Sequence, residues 1–261
     1  MKKRIIIIAA VLSMMAGLIT GCGSNASSDS DMAYIKEKGN LVVGITDFAP
    51  MDYQENGEWT GFDADLARKV GEDLGVEIQF VEIDWDNKIL ELDNKSIDVV
   101  WNGMTLTEEV SSAMACTKPY LNNAQTVVVK ADKADTWNTI DAVKQIRFAV
   151  EAGSAGEAAA VDNGFEHTSL TSQADTLMEV EAGTSDAAII DSLMAGAMVG
   201  EGTSYPDLTH TVDLTVEEYV VGCRKGSDLA AYIDDEIKKF ADDGSLLALA
   251  EKYGVQEALI K

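Results

Sequence analysis

The sequence predicts an α/β protein of two similar halves with a ligand cleft between them. Short apolar runs alternate with segments of helical periodicity, which is typical of a largely parallel sheet covered on both faces. The same alternation starts again in the second half of the chain, which indicates two lobes, and a cleft between lobes is the usual place for a small ligand. The 261 residues, of which 46% are hydrophobic, are enough for a full core.

The elements of the first half follow from periodicity. Residues 41–45 form a continuous apolar run, which predicts a buried strand. Over about 62–74 apolar residues recur at every fourth position, which predicts a helix with one apolar stripe. Alternating apolar and polar residues predict a strand at 76–80, and a further strand is predicted at 97–101 after a short helix at 88–92.

The second half repeats this pattern before two closing helices. Its predicted elements are strands at 126–129 and 147–150, a helix from about 156, a helix at 176–181, and strands at 187–190 and 218–223. The first closing helix has an apolar stripe, formed by Leu229, Ile233, Ile237 and Phe240, and Gly244 ends it.

Residues 1–21 have the character of a lipoprotein signal peptide. A basic start is followed by an apolar stretch over 5–19 that is too short for a comfortable transmembrane helix, and a small residue stands directly before Cys22. This ending resembles a bacterial lipobox, which predicts cleavage before Cys22 and a lipid on its sulfur. The Ser-rich stretch predicts a flexible tether over 22–31. The alternative is an ordinary secretory signal with an incidental cysteine.

The charge balance narrows the classes of partner. The chain has 45 acidic and 20 basic residues, a net charge of -25, so its surface repels nucleic-acid phosphates and anionic lipid headgroups. Any membrane attachment therefore needs something other than a basic patch, and a diacyl modification would supply the two chains that stable anchoring needs. The strong acidity also serves solubility.

The two remaining cysteines, Cys116 and Cys223, can pair in an oxidising compartment or stay as buried free thiols, and their apolar surroundings favour free thiols. The sequence has no CxxC motif and no Cys/His cluster, so we expect no structural metal site.

Six short segments resemble, in the family's order, the extracellular solute-binding proteins of ABC transporters, family 3, which bind polar amino acids. These segments are 44–51 (GITDFAPM), 61–66 (GFDADL), 98–107 (DVVWNGMTLT), 118–120 (KPY), 153–156 (GSAG) and 186–191 (DAAIID). The resemblance implies a substrate-binding lipoprotein of an ABC importer. Such a protein would be an extracytoplasmic monomer without a cofactor that captures an amino acid or related amine for a permease and its ATPase.

The resemblance also implies a fold, the two-lobed periplasmic-binding-protein-like (type II) fold with two crossovers between the lobes. The crossovers are expected near 122–126 and 215–219. Lobe one would consist of residues 32–123 plus 218–261, and lobe two of residues 124–217. The lobes would close over the ligand by a hinge motion.

The resemblance assigns an amine-binding role to Asp191, which ends a predicted strand at the edge where α/β sheets bind ligands. A helix N-cap is the alternative role. Asp47 would be a second acid at the mouth of the cleft. Phe48 would be an aromatic wall against the ligand, or pack on Pro50, and Trp101 would be a second wall or part of the core.

Three further contacts are implied. Gly103 would offer its carbonyl, and Thr105 its hydroxyl, to the ligand's ammonium group. Ser154 would offer a hydroxyl and an N–H to a carboxylate, helped by the helix start behind it. A turn-and-cap role explains Ser154 equally well.

The sequence departs from the family at the residue that binds the ligand's carboxylate. The family has an arginine there, which grips the carboxylate in a bidentate fork, whereas this chain has Val110. The other arginines beyond the leader, Arg68, Arg147 and Arg224, are not in loops expected at the cleft. Either a lysine or backbone dipoles replace the arginine, or the ligand has no α-carboxylate. The acids expected near the cleft suit a cation: Asp47, Asp191 and Glu151.

Two rival functions remain at this point. A dehydratase-like enzyme on the same fold would need a positioned acid or base, but the two histidines, His167 and His210, fall in predicted loops away from the ligand motifs. Phosphate-loop and Gly-x-Ser-x-Gly motifs are absent from the sequence. A solute-sensing receptor is the second rival. We expect a binding protein and not an enzyme.

Overall fold

The computed structural model describes residues 30–260. Within this range the strands are β1 (Asn40–Ile45), β2 (Tyr53–Glu55), β3 (Glu58–Thr60), β4 (Glu77–Glu82), β5 (Val99–Thr105), β6 (Ala115–Cys116), β7 (Leu121–Asn123), β8 (Gln125–Lys130), β9 (Arg147–Glu151), β10 (Glu166–Leu170), β11 (Ala187–Asp191), β12 (Leu208–Asp213) and β13 (Glu217–Cys223). The helices are α1 (Asp31–Lys38), α2 (Phe62–Leu74), α3 (Lys88–Asp93), α4 (Glu108–Ala113), α5 (Ile140–Val143), α6 (Ala155–Asn163), α7 (Gln173–Ala182), α8 (Ser192–Met198), α9 (Leu229–Asp242) and α10 (Ser245–Tyr253).

The protein has two lobes, each built on its own sheet, which confirms the predicted fold class. The sheet of the first lobe has the order β4-β1-β5-β13-β6, with β7 also paired to β13, and the sheet of the second lobe has the order β10-β9-β11-β8-β12. In each sheet three strands joined by helices run parallel, as the alternating pattern predicts.

One strand of each sheet arrives from the other lobe and therefore runs antiparallel. The chain leaves the first sheet after Asn123 and enters the second at Gln125, where β8 pairs antiparallel with β11. It returns between Asp213 and Glu217, and β13 pairs antiparallel with β5. The two crossovers lie side by side because β7 pairs with the start of β13. The lobe boundaries 32–123 plus 218–261 and 124–217 follow these crossings and remain a proposal.

Apolar side chains cover both faces of the first sheet. The α2 stripe predicted from the sequence is buried: Phe62, Leu66, Val70 and Leu74. A second cluster on the opposite face includes Trp85, Met104 and Val110.

Among residues 30–260 no helix combines the length and the apolar character that crossing a membrane requires. Cys116 and Cys223 are free thiols on neighbouring strands.

The start of the folded part differs from the predicted tether, which extends to residue 31. Ser30 caps α1 by accepting from the Ala33 N–H, and Asp31 pairs with the buried Arg224 at 3.0 Å. This ion pair fixes α1 to the first lobe, so the last two residues of the predicted tether belong to the fold. Cys22, residues 1–21 and the rest of the tether lie outside the described residues.

Candidate ligand-binding site

A cavity of about 240 Å³ lies between the lobes, where the carboxyl ends of β5, β9 and β11 meet. Both lobes contribute to its wall, for example through Phe48 and Thr105 from the first lobe and Ser154 and Asp191 from the second. Its volume lies below the about 300–1,000 Å³ of pockets for drug-sized molecules, so it suits a solute of amino-acid size.

The Phe48 ring can pack against residue 103 only because this residue is a glycine. Gly103 has φ +54°, and a Cβ there would lie 2.4 Å from the Phe48 ring. The Gly103 N–H donates to Asp63 at 2.6 Å, and Asp63 also accepts from the Tyr120 hydroxyl at 2.8 Å. Burial raises the pKa of Asp63 to about 7 against these hydrogen bonds. Phe48 thus lines the cavity and contacts the ring of Tyr219 edge-on.

Thr105 links the cavity wall to the crossovers. Its hydroxyl donates to Glu217 at 2.9 Å, and the same carboxylate accepts from Asn123 at 3.3 Å and from Gln125 at 3.0 Å. The Thr105 oxygen keeps its lone pairs, so it can still accept a hydrogen bond from an ammonium group.

Asp191 lies at the end of β11 and is buried among hydrogen-bond donors. One of its oxygens accepts from Tyr219 at 2.7 Å, from Gln125 at 3.1 Å and from Asn123, and the other accepts from Gln173 at 2.6 Å. Burial and the charge of Glu217 raise the pKa of Asp191 to about 7 despite these donors. Although Asp191 precedes α8, its side chain makes no capping hydrogen bond.

Ser154 has the capping geometry that the sequence left open. Its hydroxyl oxygen accepts from the Glu157 N–H at 3.1 Å, and its own N–H donates to the Glu151 carbonyl at 3.3 Å. The hydroxyl proton stays available to a ligand, since capping uses only the oxygen as an acceptor.

Two predicted contact residues do not line this cavity. Trp101 is 0% exposed and packs in the core cluster that contains Phe62 and Leu66, because its side chain lies on the α2 side of β5. Asp47 is exposed at the cleft edge, where partial desolvation and the charges of Glu82 and Asp175 raise its pKa. Neither side chain is among those that face the cavity.

Lys88 lines the cavity, although the sequence pattern around it predicts only a short helix. It belongs to the first lobe, and its ammonium donates to Trp85 O at 3.2 Å and across the cleft to Gly153 O at 2.9 Å. Burial lowers the pKa of Lys88, which the charges of Glu109 and Glu151 oppose. Its place after β4, at the carboxyl edge of the sheet, is the sequence signal that points to it.

Glu151 ends β9 and faces the same cavity. It is 2% exposed, and its Oε1 has no hydrogen-bond partner among the described residues. Burial and the charge of Asp191 raise the pKa of Glu151 to about 8, while Gln173 and Lys88 act in the opposite direction. Oε1 of Glu151 is therefore a buried carboxyl oxygen without a hydrogen-bond donor.

Val110 lies in the cavity wall, in α4, at the position where the resemblance implies an arginine. The three arginines of the described chain bind elsewhere: Arg68 to Asp65, Arg147 to Thr184 O, and Arg224 to Asp31 and Asp98. Lys88 is thus the cation at this cavity within residues 30–260. In the same range no cluster of His, Cys, Asp and Glu side chains is arranged to hold a metal ion.

Comparisons with known proteins agree with this architecture. The family model for bacterial extracellular solute-binding proteins, family 3, matches residues 41–256. The L-cystine-binding protein TcyJ of Escherichia coli is 29% identical over 251 residues, which cover 94% of each protein. The arginine-binding extracellular protein ArtP of Bacillus subtilis is 29% identical over 266 residues, which cover 97% of this chain and 98% of ArtP.

Solved structures of similar proteins have the same fold. A mutant of ArgBP from T. maritima matches with a TM-score of 0.80 at 32% identity, over 85% of this chain and 98% of that one. The ancestral amino acid-binding protein AncCDT-1, a precursor of cyclohexadienyl dehydratase, matches with a TM-score of 0.79 at 30% identity, over 86% of this chain and 99% of that one.

Proposed function

Because the chain belongs to the bacterial extracellular solute-binding proteins, family 3, we propose that it is the substrate-binding lipoprotein of an ABC importer. It captures an amino acid or a related amine outside the cytoplasm and delivers it to a membrane permease, which works with an ATPase. It acts as a monomer that closes around its ligand.

The observation that carries this proposal is the set of buried polar groups around one small cavity between the lobes. Asp191 and Glu151 supply carboxyl groups, and Thr105 and Ser154 supply hydroxyls. The two lobes that carry these residues are joined by two adjacent crossovers. Buried charges need partners, and a small ligand with a cationic group provides them. The similarity to proteins named for binding L-cystine and arginine supports an amino acid as ligand.

A thermal-shift screen of the protein without bound ligand tests this function. The probes are the common amino acids, their decarboxylated amines and polyamines. A ligand that binds only the folded state raises the melting temperature. At a ligand concentration of a hundred times Kd it adds about 2.7 kcal/mol to the free energy of unfolding. If no probe raises the melting temperature, amino-acid and amine binding is excluded.

The dehydratase alternative is tested with the same protein. AncCDT-1 is named as an amino acid-binding protein, although it is a precursor of an enzyme. The histidines of this chain, His167 and His210, do not line the cavity. We expect every probe that binds to be recovered unchanged after prolonged incubation, as measured by mass spectrometry, and a converted product would contradict the proposal.

The membrane anchor rests on Cys22 and on the apolar leader before it. Cys22→Ala removes the sulfur that would carry the lipid, so we expect this variant to be released from the membrane or to keep its leader. Fractionation of cells and mass spectrometry of the mature N-terminus measure both results. Unmodified Cys22 in mature protein from the native host would contradict the anchor.

A further inference from the structure

Three buried polar groups of the cavity have hydrogen-bonding capacity that residues 30–260 do not use. The Lys88 ammonium has three protons and donates to two backbone carbonyls, with no carboxylate oxygen within 4.0 Å. The Asn102 amide nitrogen donates to nothing, and Oε1 of Glu151 accepts from nothing. The Lys88 ammonium and the Asn102 amide can both donate to an anion, and a cation in contact with Glu151 favours its ionised form. A ligand that carries both kinds of charge therefore satisfies all three groups.

The orientation of Asn102 is fixed by its other atom. Its Oδ1 accepts from the Thr46 N–H, which leaves the amide nitrogen as the group without a partner. Asn102 and Lys88 both belong to the first lobe and both line the cavity that Val110 also borders. Both can therefore donate to an anion on the side of the cavity where the family has its arginine.

Lys88 and Glu151 do not neutralise each other directly. The two side chains come from opposite lobes, 5% and 2% exposed, and form no ion pair within 4.0 Å. A buried charge that has lost water needs a counter-charge in contact. A ligand that bridges the two supplies a carboxylate to Lys88 and a cation to Glu151.

The charges at the cavity also limit the net charge of the ligand. Lys88 carries one positive charge, while Asp191 and Glu151 are buried carboxyls, and Glu108 and Glu109 add acidity at the exposed rim. A ligand with two cationic groups and one carboxylate offers a cation to each of Asp191 and Glu151 and an anion to Lys88. Asp191 already accepts four hydrogen bonds, three of them on one oxygen. Oε1 of Glu151 accepts none, so it is the acceptor available to a second cationic group.

We propose that Lys88 replaces the missing arginine as the carboxylate-binding residue, that Glu151 binds a second cationic group, and that the ligand is a basic amino acid. The proposal rests on the proposed function and names its substrate class. Because Lys88 also contacts Gly153 O in the other lobe, the carboxylate is bound at the seam where the lobes meet, and closure completes its site.

Calorimetry with matched ligand pairs tests the two residues separately. L-arginine and agmatine, or L-lysine and cadaverine, differ by the carboxylate that Lys88 would bind. The wild-type protein should prefer the amino acid by about 10- to 100-fold, as expected for hydrogen bonds to a charged group. Lys88→Met should abolish this preference, and Lys88→Gln, which can still donate to the carbonyls, should reduce it similarly. Lys144→Met, an exposed lysine paired with Asp141, is the control and should keep it.

L-arginine and L-citrulline test Glu151, because they differ by the charge of the side chain. The wild-type protein should prefer arginine, and Glu151→Gln should remove this preference while the arginine-over-agmatine preference persists. Substitution of a residue with only a structural role would lower the affinity for both ligands of a pair equally.

The outcomes separate this inference from the proposed function. If the wild-type protein binds only neutral or acidic amino acids, or if folded Lys88→Met keeps the full arginine-over-agmatine ratio, the inference is wrong and the importer function stands. If the wild-type protein binds no amino acid and no amine, the proposed function fails and the inference fails with it.

Discussion

At the scale of single residues, Asp191 shows how neighbouring side chains orient a buried carboxylate. Gln173 binds it twice, since its amide nitrogen donates to the carboxylate at 2.6 Å and its amide oxygen accepts from the Asp191 N–H at 2.9 Å. The donors from Tyr219 and Gln125 fix the other oxygen. This arrangement orients the carboxylate before a ligand arrives, which lowers the entropy cost of binding.

Asp191→Asn tests this residue without changing its size. The amide has no negative charge and one oxygen fewer, so we expect amino-acid affinity to fall by about 100-fold or more, as for the loss of a charged hydrogen-bonding partner. The amide nitrogen would also face the Gln173 donor, so stability should fall by about 1–3 kcal/mol. Calorimetry and thermal melting measure the two effects.

Asp213→Asn is the matched control for this variant. It makes the same charge change at an exposed position at the end of β12, away from the cavity. Affinity should stay within a factor of about two of wild type, as for most surface changes. Equal losses in both variants would mean that Asp191 acts only through the overall charge of the protein.

The sequence could predict the position of Asp191 because the end of a buried strand places it at the ligand edge of a sheet. It could not decide whether Trp101 is a wall of the cleft or part of the core, since β5 is buried on both faces and alternation gives no signal there. The position of Lys88 after β4 points to the cleft, but its contact with Gly153 could not be predicted, because Gly153 is distant along the chain and meets Lys88 only when the two lobes are assembled.

At the scale of elements, the crossovers and the cavity share one hydrogen-bond network. Asn123 and Gln125, on the first crossover, each donate to Glu217 on the second and to Asp191 at the cavity. Thr105 of β5 donates to the same Glu217. The hydrogen bonds of Asp191 thus connect the cavity directly to the strands of both crossovers.

Gly153→Ala tests whether the lobes must meet for binding. A Cβ on Gly153 would lie 2.8 Å from Cα of Asp86 in the other lobe, so the alanine would hold the lobes apart. We expect affinity to fall by about 10- to 100-fold, as for overpacking worth 1–3 kcal/mol. In small-angle scattering the ligand-induced decrease in radius of gyration should be smaller than in wild type.

Gly164→Ala controls for backbone strain in this test. Gly164 has the same φ of +68° as Gly153, but a Cβ there would have no atom within 4 Å. Both alanines pay the left-handed strain of about 1–2 kcal/mol, and only the one at 153 obstructs closure. If Gly164→Ala weakens ligand binding as much as Gly153→Ala does, closure at this contact is not needed.

Most elements could be predicted because their apolar periodicity is strong. The α2 stripe is an example, and the helix extends over the expected residues. The short strands β2, β3, β6 and β7 were not predicted, because two or three residues are too few for a period to be visible. Their pairing depends on tertiary contacts, as β7 shows by its register with β13.

At the scale of the whole molecule, buried carboxyl groups and overall acidity act together on stability. Burial raises the pKa of Glu151 to about 8 and that of Asp63 and Asp191 to about 7, and it raises the pKa of Asp52 well above its ordinary value. Unfolded carboxyls titrate near 4, at about 3.9 for Asp and 4.3 for Glu. Between the unfolded pKa values near 4 and the folded values of about 7 to 8, the folded protein binds more protons than the unfolded chain.

The stability of the unliganded protein should therefore fall as the pH rises from about 4.5 to about 8, because stability decreases with pH wherever the folded state binds more protons than the unfolded chain. The net charge of -25 adds self-repulsion in the same direction. Glu151→Gln should flatten the decrease, while the same change at the exposed Glu201 should not. A basic amino acid should raise the melting temperature more at the higher pH, where the carboxyls are closer to ionisation. Calorimetric melting across this range measures all three effects, and a melting temperature that rises with pH would show that these carboxyls are already ionised in the folded protein.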